Sequence, residues 1–318
     1  MRKRKLIIAM IILLCSSYLC SCAKEGSLYE KQEDSTVQSE TEVFAVEEKA
    51  DGDDVDVNNT GGSKLVSVHF LDIGKADSIL IKIDDSAVLI DSGTNEKAKD
   101  IIDYLKKQAV TKLEYAIATH GDKDHVGGMS DIMKEFPTDV LVMSSRGKNT
   151  VPYNAMIDTA INLKVTQFIP KVKSVFYVED VKFTVMAPGD EAMAAGTDNE
   201  SSIVLMMQYG EKKFLFMGDA MEISEKEMLN RGYDLQADVI KVGHHGDTRS
   251  SSEEFLNAVN PAVAVITCDE GDETSLPERE TLEMISKQHI LLYRTDKDGT
   301  IVMTTNGVDI KIEKSNRG

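Results

Sequence analysis

The sequence predicts an α/β protein in which two β-sheets are covered by helices, a four-layer arrangement. Short apolar, β-rich runs occur throughout residues 65–318, and segments with apolar residues at spacings of three and four lie between them. The first pattern is typical of strands and the second of amphipathic helices. Their recurrence along one chain favours sheets with helices packed outside them.

Strands are predicted where a short run is rich in Val, Ile, Leu and Phe. Eleven runs meet this description, at 65–72, 78–83, 87–90, 113–119, 181–186, 203–208, 213–217, 239–242, 262–267, 290–294 and 300–304. Helices are predicted where the apolar period lengthens to three or four residues. Six segments do so, at 96–108, 126–135, 153–163, 222–231, 252–259 and 277–288.

Residues 1–22 have the pattern of a lipoprotein signal peptide. Basic residues at 2–5 precede an apolar stretch at 6–14 that is too short to cross a bilayer. The Leu-Cys-Ser-Cys sequence that ends at Cys22 resembles a bacterial lipobox. It implies lipid on Cys22 and an extracytoplasmic protein anchored to the bacterial cell membrane, whereas the alternative is ordinary cleavage nearby.

Residues 23–64 are predicted to be an acidic, disordered tether. They contain twelve acidic and four basic residues and almost no large apolar ones, so they bury too little apolar surface to offset the entropy of ordering. The signal carries +4 and the tether −8 of the formal charge of −18, which leaves −14 on residues 65–318. This balance argues against nucleic-acid binding by a broad basic face.

Residues 65–318 are long enough for one large domain with a full core. Once the signal is removed and Cys22 carries lipid, Cys268 is the remaining thiol, so no internal disulfide is expected. We interpret Cys268 as a strand residue rather than a nucleophile, because it ends an apolar run.

Polar residues directly follow several predicted strands. Asp91, His120, Asp219 and His244 each come at or just beyond the end of an apolar run. Side chains at strand ends have little conformational freedom, and we expect these four to converge on one sheet edge.

The segment His-Gly-Asp-Lys-Asp-His at 120–125 is the most informative motif. Its two imidazoles and two carboxylates, on His120, Asp122, Asp124 and His125, are costly to bury unpaired but are ligands that one or two divalent cations require. The alternative interpretation is a solvated loop that is rich in Asp and His by chance.

Further motifs accompany this one along the chain. They are Val-His-Phe-Leu-Asp-Ile-Gly at 68–74, Leu-Ile-Asp-Ser-Gly at 89–93, Thr-His-Gly-Asp-Lys-Asp-His-Val-Gly-Gly at 119–128, Asn-Glu-Ser-Ser-Ile-Val-Leu at 199–205, Phe-Leu-Phe-Met-Gly-Asp at 214–219, Lys-Val-Gly-His-His-Gly at 241–246 and Tyr-Arg-Thr-Asp-Lys-Asp-Gly at 293–299. In this order they resemble the metallo-β-lactamase fold superfamily and, within it, the hydrolase domain of the competence protein ComEC. The resemblance implies an αββα sandwich over residues 65 to about 305.

The resemblance also implies a site for two divalent metal ions, zinc or manganese. His120 and Asp122 would bind the first ion, Asp124 and His125 the second, and Asp219 would bridge the two. Such ions would generate a metal-bound hydroxide and stabilise charge on the substrate, and Asp124 could also accept the proton of the nucleophile.

Other residues take supporting roles by resemblance. His244 would complete the second metal site, with His245 as the alternative ligand or a group behind the ligands. Asp91 would orient the metal-binding loop without binding metal. Independently of the resemblance, Lys241 lies two residues before the first glycine of the Gly-His-His-Gly turn and could neutralise negative charge on the substrate, or it could lie on the solvent face of a strand.

The chain departs from the superfamily pattern at several positions. Asp122 stands where histidine is more common, and Asn199 and Ser202 occupy a region that usually holds another histidine. The resulting oxygen-rich site suits manganese or magnesium as well as zinc. Asp247 follows the His-His-Gly turn where relatives tend to have serine, and Lys75 replaces a glutamine.

Arg249 and the serines at 250–252 follow that turn. They could hold a phosphate, although capping of the next helix is the more frequent use of such a run.

Three functions remain open on the sequence. The first is hydrolysis of a phosphodiester, in a small molecule or a nucleic acid, by an exported, lipid-anchored enzyme. The second is hydrolysis of a carboxylic ester, lactone or β-lactam with the same metals. The third is a degenerate scaffold protein that uses metal only for folding. No protein partner can be inferred.

Overall fold

The computed structural model describes residues 64–270 and 275–315. The predictions for the signal peptide (1–22) and the tether (23–64) therefore lie outside the described residues, apart from Lys64. Among the described residues, no helix combines the length and the apolar character that crossing a bilayer requires.

The bounds of the elements within the described ranges are as follows. The strands are β1 (Val66–Phe70), β2 (Ile79–Ile83), β3 (Ser86–Ile90), β4 (Leu113–Ala118), β5 (Thr138–Met143), β6 (Thr166–Phe168), β7 (Val175–Val178), β8 (Val181–Ala187), β9 (Val204–Tyr209), β10 (Lys212–Phe216), β11 (Val239–Lys241), β12 (Val263–Ile266), β13 (Leu291–Arg294), β14 (Ile301–Thr305) and β15 (Ile310–Lys314). The α-helices are α1 (Ala98–Lys107), α2 (Lys123–Val126), α3 (Met129–Glu135), α4 (Val151–Leu163), α5 (Asp190–Ala195), α6 (Glu222–Asn230), α7 (Glu253–Val259), α8 (Arg279–Lys287) and α9 (Thr295–Asp298).

The strands form two sheets. The first has the order β15-β14-β1-β2-β3-β4-β5-β6 and the second the order β13-β12-β11-β10-β9-β8-β7. Strands β3 to β6 run parallel in the first sheet, and strands β10 to β13 run parallel in the second. The chain completes the second sheet before it returns to the first through β14, which pairs with β1.

The two sheets pack face to face over an apolar core. Alternate residues of β1, Val66, Val68 and Phe70, point into this core and meet Phe183 and Phe216 of the second sheet. Full burial of each such side chain stabilises the fold by roughly 1.5–3 kcal/mol.

Helices cover the outer faces of both sheets. On α1 the buried residues Ala98, Ile101 and Leu105 recur at spacings of three and four. Ile101 and Leu105 belong to a second core with Leu80 and Leu89. A third core lies between the second sheet and helices α6 to α8. Strand β3 is apolar on both faces because both are covered. The predicted four-layer αββα architecture is thus confirmed.

Each predicted strand and helix overlaps an element of the structure. Four strands were not predicted: β5, β6, β7 and β15. Strand β6 has three residues, all exposed, so it carries no apolar pattern. Strand β15 alternates Ile with charged residues, which is a strand signal.

Candidate metal centre

The candidate ligands meet at the carboxyl ends of parallel strands from both sheets. Strands β3 and β4 of the first sheet lead into Asp91 and His120, and strands β10 and β11 of the second sheet lead into Asp219 and the His-His turn. The prediction that these residues converge on the edge of a single sheet was therefore wrong. The site lies where the edges of two sheets meet.

Asp91 fixes the first of these loops from behind the ligands. It is fully buried, and its carboxylate accepts hydrogen bonds from the backbone N–H of Thr119 (2.8 Å) and from Thr119 Oγ1 (2.7 Å). It also lies 2.7 Å from His125 Nδ1. Because His125 donates from Nδ1 to Asp91, its Nε2 is left to face the centre, as metal-binding histidines require.

His125 and His245 form one group of candidate ligands with Asp124. One ligand atom from each lies within 4.8 Å of the others. His245 Nε2 is 3.8 Å from Asp124 Oδ2 and 3.7 Å from Asp219 Oδ1, while its Nδ1 donates to the carbonyl of Thr267 at 2.8 Å. These contacts orient His245 as they would a metal ligand.

His244 does not belong to this group of ligands. Its Nε2 is 3.9 Å from Asp219 Oδ2 and accepts a hydrogen bond from Asn199 Nδ2 at 3.2 Å, and its Nδ1 is 3.3 Å from Asp247 Oδ2. It lines the cavity beside the centre. The geometry corrects the preference for His244, because His245 is the histidine that joins the group of Asp124.

His120 and Asp219 define the other side of the centre. His120 Nε2 lies 3.8 Å from Asp219 Oδ2 and 3.9 Å from Asp122 Oδ1. Its Nδ1 is 3.2 Å from Thr119 Oγ1 and 3.3 Å from Ser202 Oγ. Ser202 thus supports the imidazole from behind.

Asp219 stands between the two sides. His125 Nε2 is 3.2 Å from its Oδ2, and His245 faces its Oδ1. Glycine at 218 allows the chain to place Asp219 here. Its φ of +54° is left-handed, and a Cβ at this position would lie 3.0 Å from the Cβ of Thr119. A carboxylate between two groups of ligands is the geometry expected of a bridging ligand.

Several polar atoms at this centre lack partners. Among the described residues, the buried atoms His120 Nε2, His125 Nε2, His245 Nε2 and Asp219 Oδ1 have no hydrogen bond. Burying such atoms unsatisfied is costly. Imidazole nitrogens and carboxylate oxygens lie within 4.8 Å of one another in two groups, one with His120 and Asp219 and one with Asp124 and His245, and His125 belongs to both. Such groups fit divalent cations, so the residues present suit the metals that the resemblance implies.

Burial and charge act against each other on these groups. Burial, with a further contribution from the charge of His125, lowers the pKa of His120 and His245, which keeps both in the neutral form that binds metal. Burial also opposes the charge of His125, but Asp219 and Asp91 outweigh it and raise the pKa of His125 well above its usual value. Burial opposes ionisation of Asp124, yet the charges of His125 and Lys75 lower its pKa to about 2.

Lys241 lies behind the centre and not in the cleft. The residue is 1% exposed, and its Nζ pairs with Asp77 Oδ2 at 2.8 Å and donates to the carbonyl of Val242 at 2.9 Å. An ammonium held in this way cannot reach a substrate. The predicted catalytic role of Lys241 was therefore wrong, and so was its alternative position on a solvent face.

Other lysines line the cleft, and two of them contact predicted metal ligands although neither was predicted as a functional residue. A cavity of about 600 Å³ opens onto Asp219 and His244 and is lined by Lys75 and Lys148. Lys75 Nζ lies 3.1 Å from Asp124 Oδ2, and Lys148 Nζ forms an ion pair with Asp122. Both lie in loops, where no periodic pattern marks them as functional. The one indication in the sequence was that Lys75 stands where relatives have glutamine.

The Ser-rich run after the His-His turn serves as a helix cap. Ser252 Oγ accepts a hydrogen bond from the backbone N–H of Phe255 at the start of α7. Arg249 binds Asp247 through two nitrogens, at 2.9 and 2.7 Å. The cap interpretation is confirmed, and the guanidinium is engaged within its own loop.

A four-layer αββα sandwich with His and Asp ligands at its sheet ends defines a class of metal-binding proteins. The family profile described as the Metallo-beta-lactamase superfamily matches residues 71–268. The chain belongs to this superfamily, whose members are generally metal-dependent hydrolases, and its fold implies binding of divalent metal.

Curated relatives confirm the similarity to competence proteins. The chain is 29% identical over 252 residues to ComE operon protein 3 of Bacillus subtilis (strain 168), which covers 74% of this chain and 32% of that protein. It is 26% identical to Recombination protein 2 of Haemophilus influenzae (74% and 28% covered) and 26% identical to Competence protein ComA of Neisseria gonorrhoeae (74% and 32% covered). It spans about a third of the length of these relatives.

Proposed function

We propose that this protein is an exported, lipid-anchored hydrolase that uses two divalent ions, zinc or manganese, to cleave a phosphodiester. The observation that carries the proposal is the set of buried, unpartnered atoms at the centre: three imidazole nitrogens and one oxygen of Asp219. Atoms of this kind lie on both sides of Asp219, which supports one cation on each side.

When bound, two such cations activate water and stabilise charge that develops on a phosphoryl oxygen. The residues of the chain do the rest. Asp124, ionised at neutral pH because its pKa is low, would hold one cation together with His125 and His245. His120 and Asp122 would hold the other, and Asp91 keeps His125 turned toward the centre.

The substrate class is proposed from the cleft and the motifs. Three lysines, Lys75, Lys123 and Lys148, line the cavity beside Asp219, and every carboxylate of the lining except that of Glu96 belongs to a candidate metal ligand. With metal bound to those ligands, the positive charge of the lining favours an anionic substrate over a neutral ester. The motif set shared with competence proteins also supports a phosphodiester, in a small molecule or a nucleic acid. The charge of −14 on residues 65–318 argues against broad binding of long polymers.

The place of action is proposed from the N-terminal segment. A signal peptide followed by Cys22 supports attachment to the outer face of the bacterial cell membrane through lipid. Labelling with radioactive palmitate in a bacterial host tests this, because Cys22→Ser should abolish incorporation of the label. Incorporation that persists in the variant would refute anchoring at Cys22.

The reaction is tested with the full chain, loaded in turn with zinc and with manganese. Bis-p-nitrophenyl phosphate should be hydrolysed, and Asp124→Asn should lower turnover by several orders of magnitude because it removes a charged ligand. Asp131→Asn is the matched control, since Asp131 pairs with Lys134 at an exposed position.

The other candidate functions appear as distinct outcomes. Hydrolysis of p-nitrophenyl acetate or a lactone without hydrolysis of the diester would replace the proposed substrate class. Two bound ions per chain without hydrolysis of either kind of substrate would indicate a scaffold protein. Undiminished activity of Asp124→Asn would overturn the assignment of the centre.

A further inference from the structure

The cleft holds two lysines whose partners are themselves candidate metal ligands. Lys75 lies 3.1 Å from Asp124 Oδ2, and Lys148 pairs with Asp122. The side chains are only 21% and 27% exposed. Without metal, these ammonium groups supply the positive charge that the two carboxylates need so close to a buried site.

The two lysines reach the site from different loops. Lys75 lies between β1 and β2, and Lys148 lies between β5 and α4. Both line the same cavity. The loop of Lys148 packs directly against the metal-binding motif at Gly121, where a Cβ would lie 2.7 Å from the Cβ of Lys148.

Lys148 has a second partner that does not belong to the candidate centre. Its Nζ lies 2.7 Å from Asp198 Oδ2, and Asp198 Oδ1 is held in turn by Arg146 Nε at 2.9 Å. Asp198 therefore keeps Lys148 at the wall of the cavity even when Asp122 turns to another cation.

Resting on the proposed function, we infer that Lys75 and Lys148 exchange partners during loading and bind the anionic group of the substrate. When Asp124 and Asp122 bind divalent cations, the ammonium groups of the two lysines face the cavity beside Asp219. There they bind phosphate oxygens through charge-assisted hydrogen bonds. The lysines thus act as specificity-determining residues for a negatively charged substrate.

Removing either lysine should change metal affinity and anion affinity in opposite directions. Lys148→Met and Lys75→Met remove a cation that competes for a ligand, so affinity for Mn²⁺ measured by isothermal titration calorimetry should rise severalfold. Affinity of the metal-loaded protein for inorganic phosphate should fall about tenfold, the size expected for loss of one charged hydrogen bond. If the lysines only stabilised the structure, their replacement would weaken the binding of both Mn²⁺ and phosphate.

Kinetics give an independent readout. The KM for bis-p-nitrophenyl phosphate should rise about tenfold in each variant, while the KM for p-nitrophenyl acetate, which is uncharged, should stay within about twofold. Lys148→Arg, which keeps the charge, should retain most of the phosphate affinity. Lys134→Met is the matched control, because its partner Asp131 lies outside the cavity.

The outcomes separate this inference from the proposed function. If the wild type hydrolyses neither substrate, the proposed function fails, and the titrations with Mn²⁺ and phosphate still decide the role of the lysines. Weaker Mn²⁺ binding in the variants, or unchanged phosphate binding, would overturn the inference. An equal increase in KM for the charged and the neutral substrate would also overturn the inference.

Discussion

Replacing Lys241 by methionine should destabilise the protein without removing any group from the cleft. The variant keeps the length of the side chain but deprives Asp77 Oδ2 of its partner at 2.8 Å. Asp77 is 1% exposed. Burial raises the pKa of this carboxyl, but Lys241, together with His245 and His125, lowers it to below its usual value. Breaking a buried ion pair on one side costs about 3–5 kcal/mol, and that loss is expected in the free energy of unfolding.

The assay is equilibrium unfolding in urea with a chelator present, so that metal binding does not contribute. Lys213→Met is the control: Lys213 pairs with Asp234 at 2.7 Å, but Asp234 is 67% exposed, and the expected loss is below about 1 kcal/mol. In the double variant with Asp77→Asn, the two losses should fall short of additivity by about 2 kcal/mol. Additive losses, or a loss in Lys241→Met no larger than in the control, would refute the account of this pair.

Three further predictions concern metal binding and pH. Asp91→Asn should weaken metal binding about 10–100-fold while leaving the number of sites unchanged, and unchanged affinity in a chelator competition would show that Asp91 does not orient His125. Asp219→Asn should lower the metal content measured by mass spectrometry from two ions to one or none, and two retained ions would contradict a bridging role. Burial raises the pKa of Glu225 to about 7 from a usual 4.5, so the folded state retains this proton longer than the unfolded state does. Its contribution to stability should be present at low pH and decline between about pH 4.5 and 7, and a wild-type profile that Glu225→Gln leaves unaltered would contradict this.

The fold and the centre differ in how far the sequence predicts them. The apolar runs that end near Asp91, His120 and Asp219 predicted the strands and the ligands that follow them. Buried strands consist of apolar residues and metal ligands of His and Asp, so both can be recognised from residue type. Residue type does not show which strands belong to which sheet. The ligands were therefore expected at the edge of one sheet.

The choice between adjacent histidines was beyond the sequence for a different reason. His244 and His245 both have left-handed backbone angles, with φ of 43° and 52°, so the turn alone decides which ring faces Asp124. The position of Lys241 depended on the burial of Asp77, a contact between distant parts of the chain. Lys75 and Lys148 lie in loops, where position depends on packing rather than on periodicity.

The division of the ligands between two sheets gives a bound ion a role like that of a disulfide. His120 to His125 follow the first sheet, and Asp219 and His245 follow the second, so an ion held by both groups closes a loop of on the order of a hundred residues. A covalent cross-link of that span stabilises a protein by up to about 5 kcal/mol. Among the described residues Cys268 is the one thiol, which leaves coordination as the available cross-link. Refolding in the presence of a chelator would show whether the two halves can dock without it.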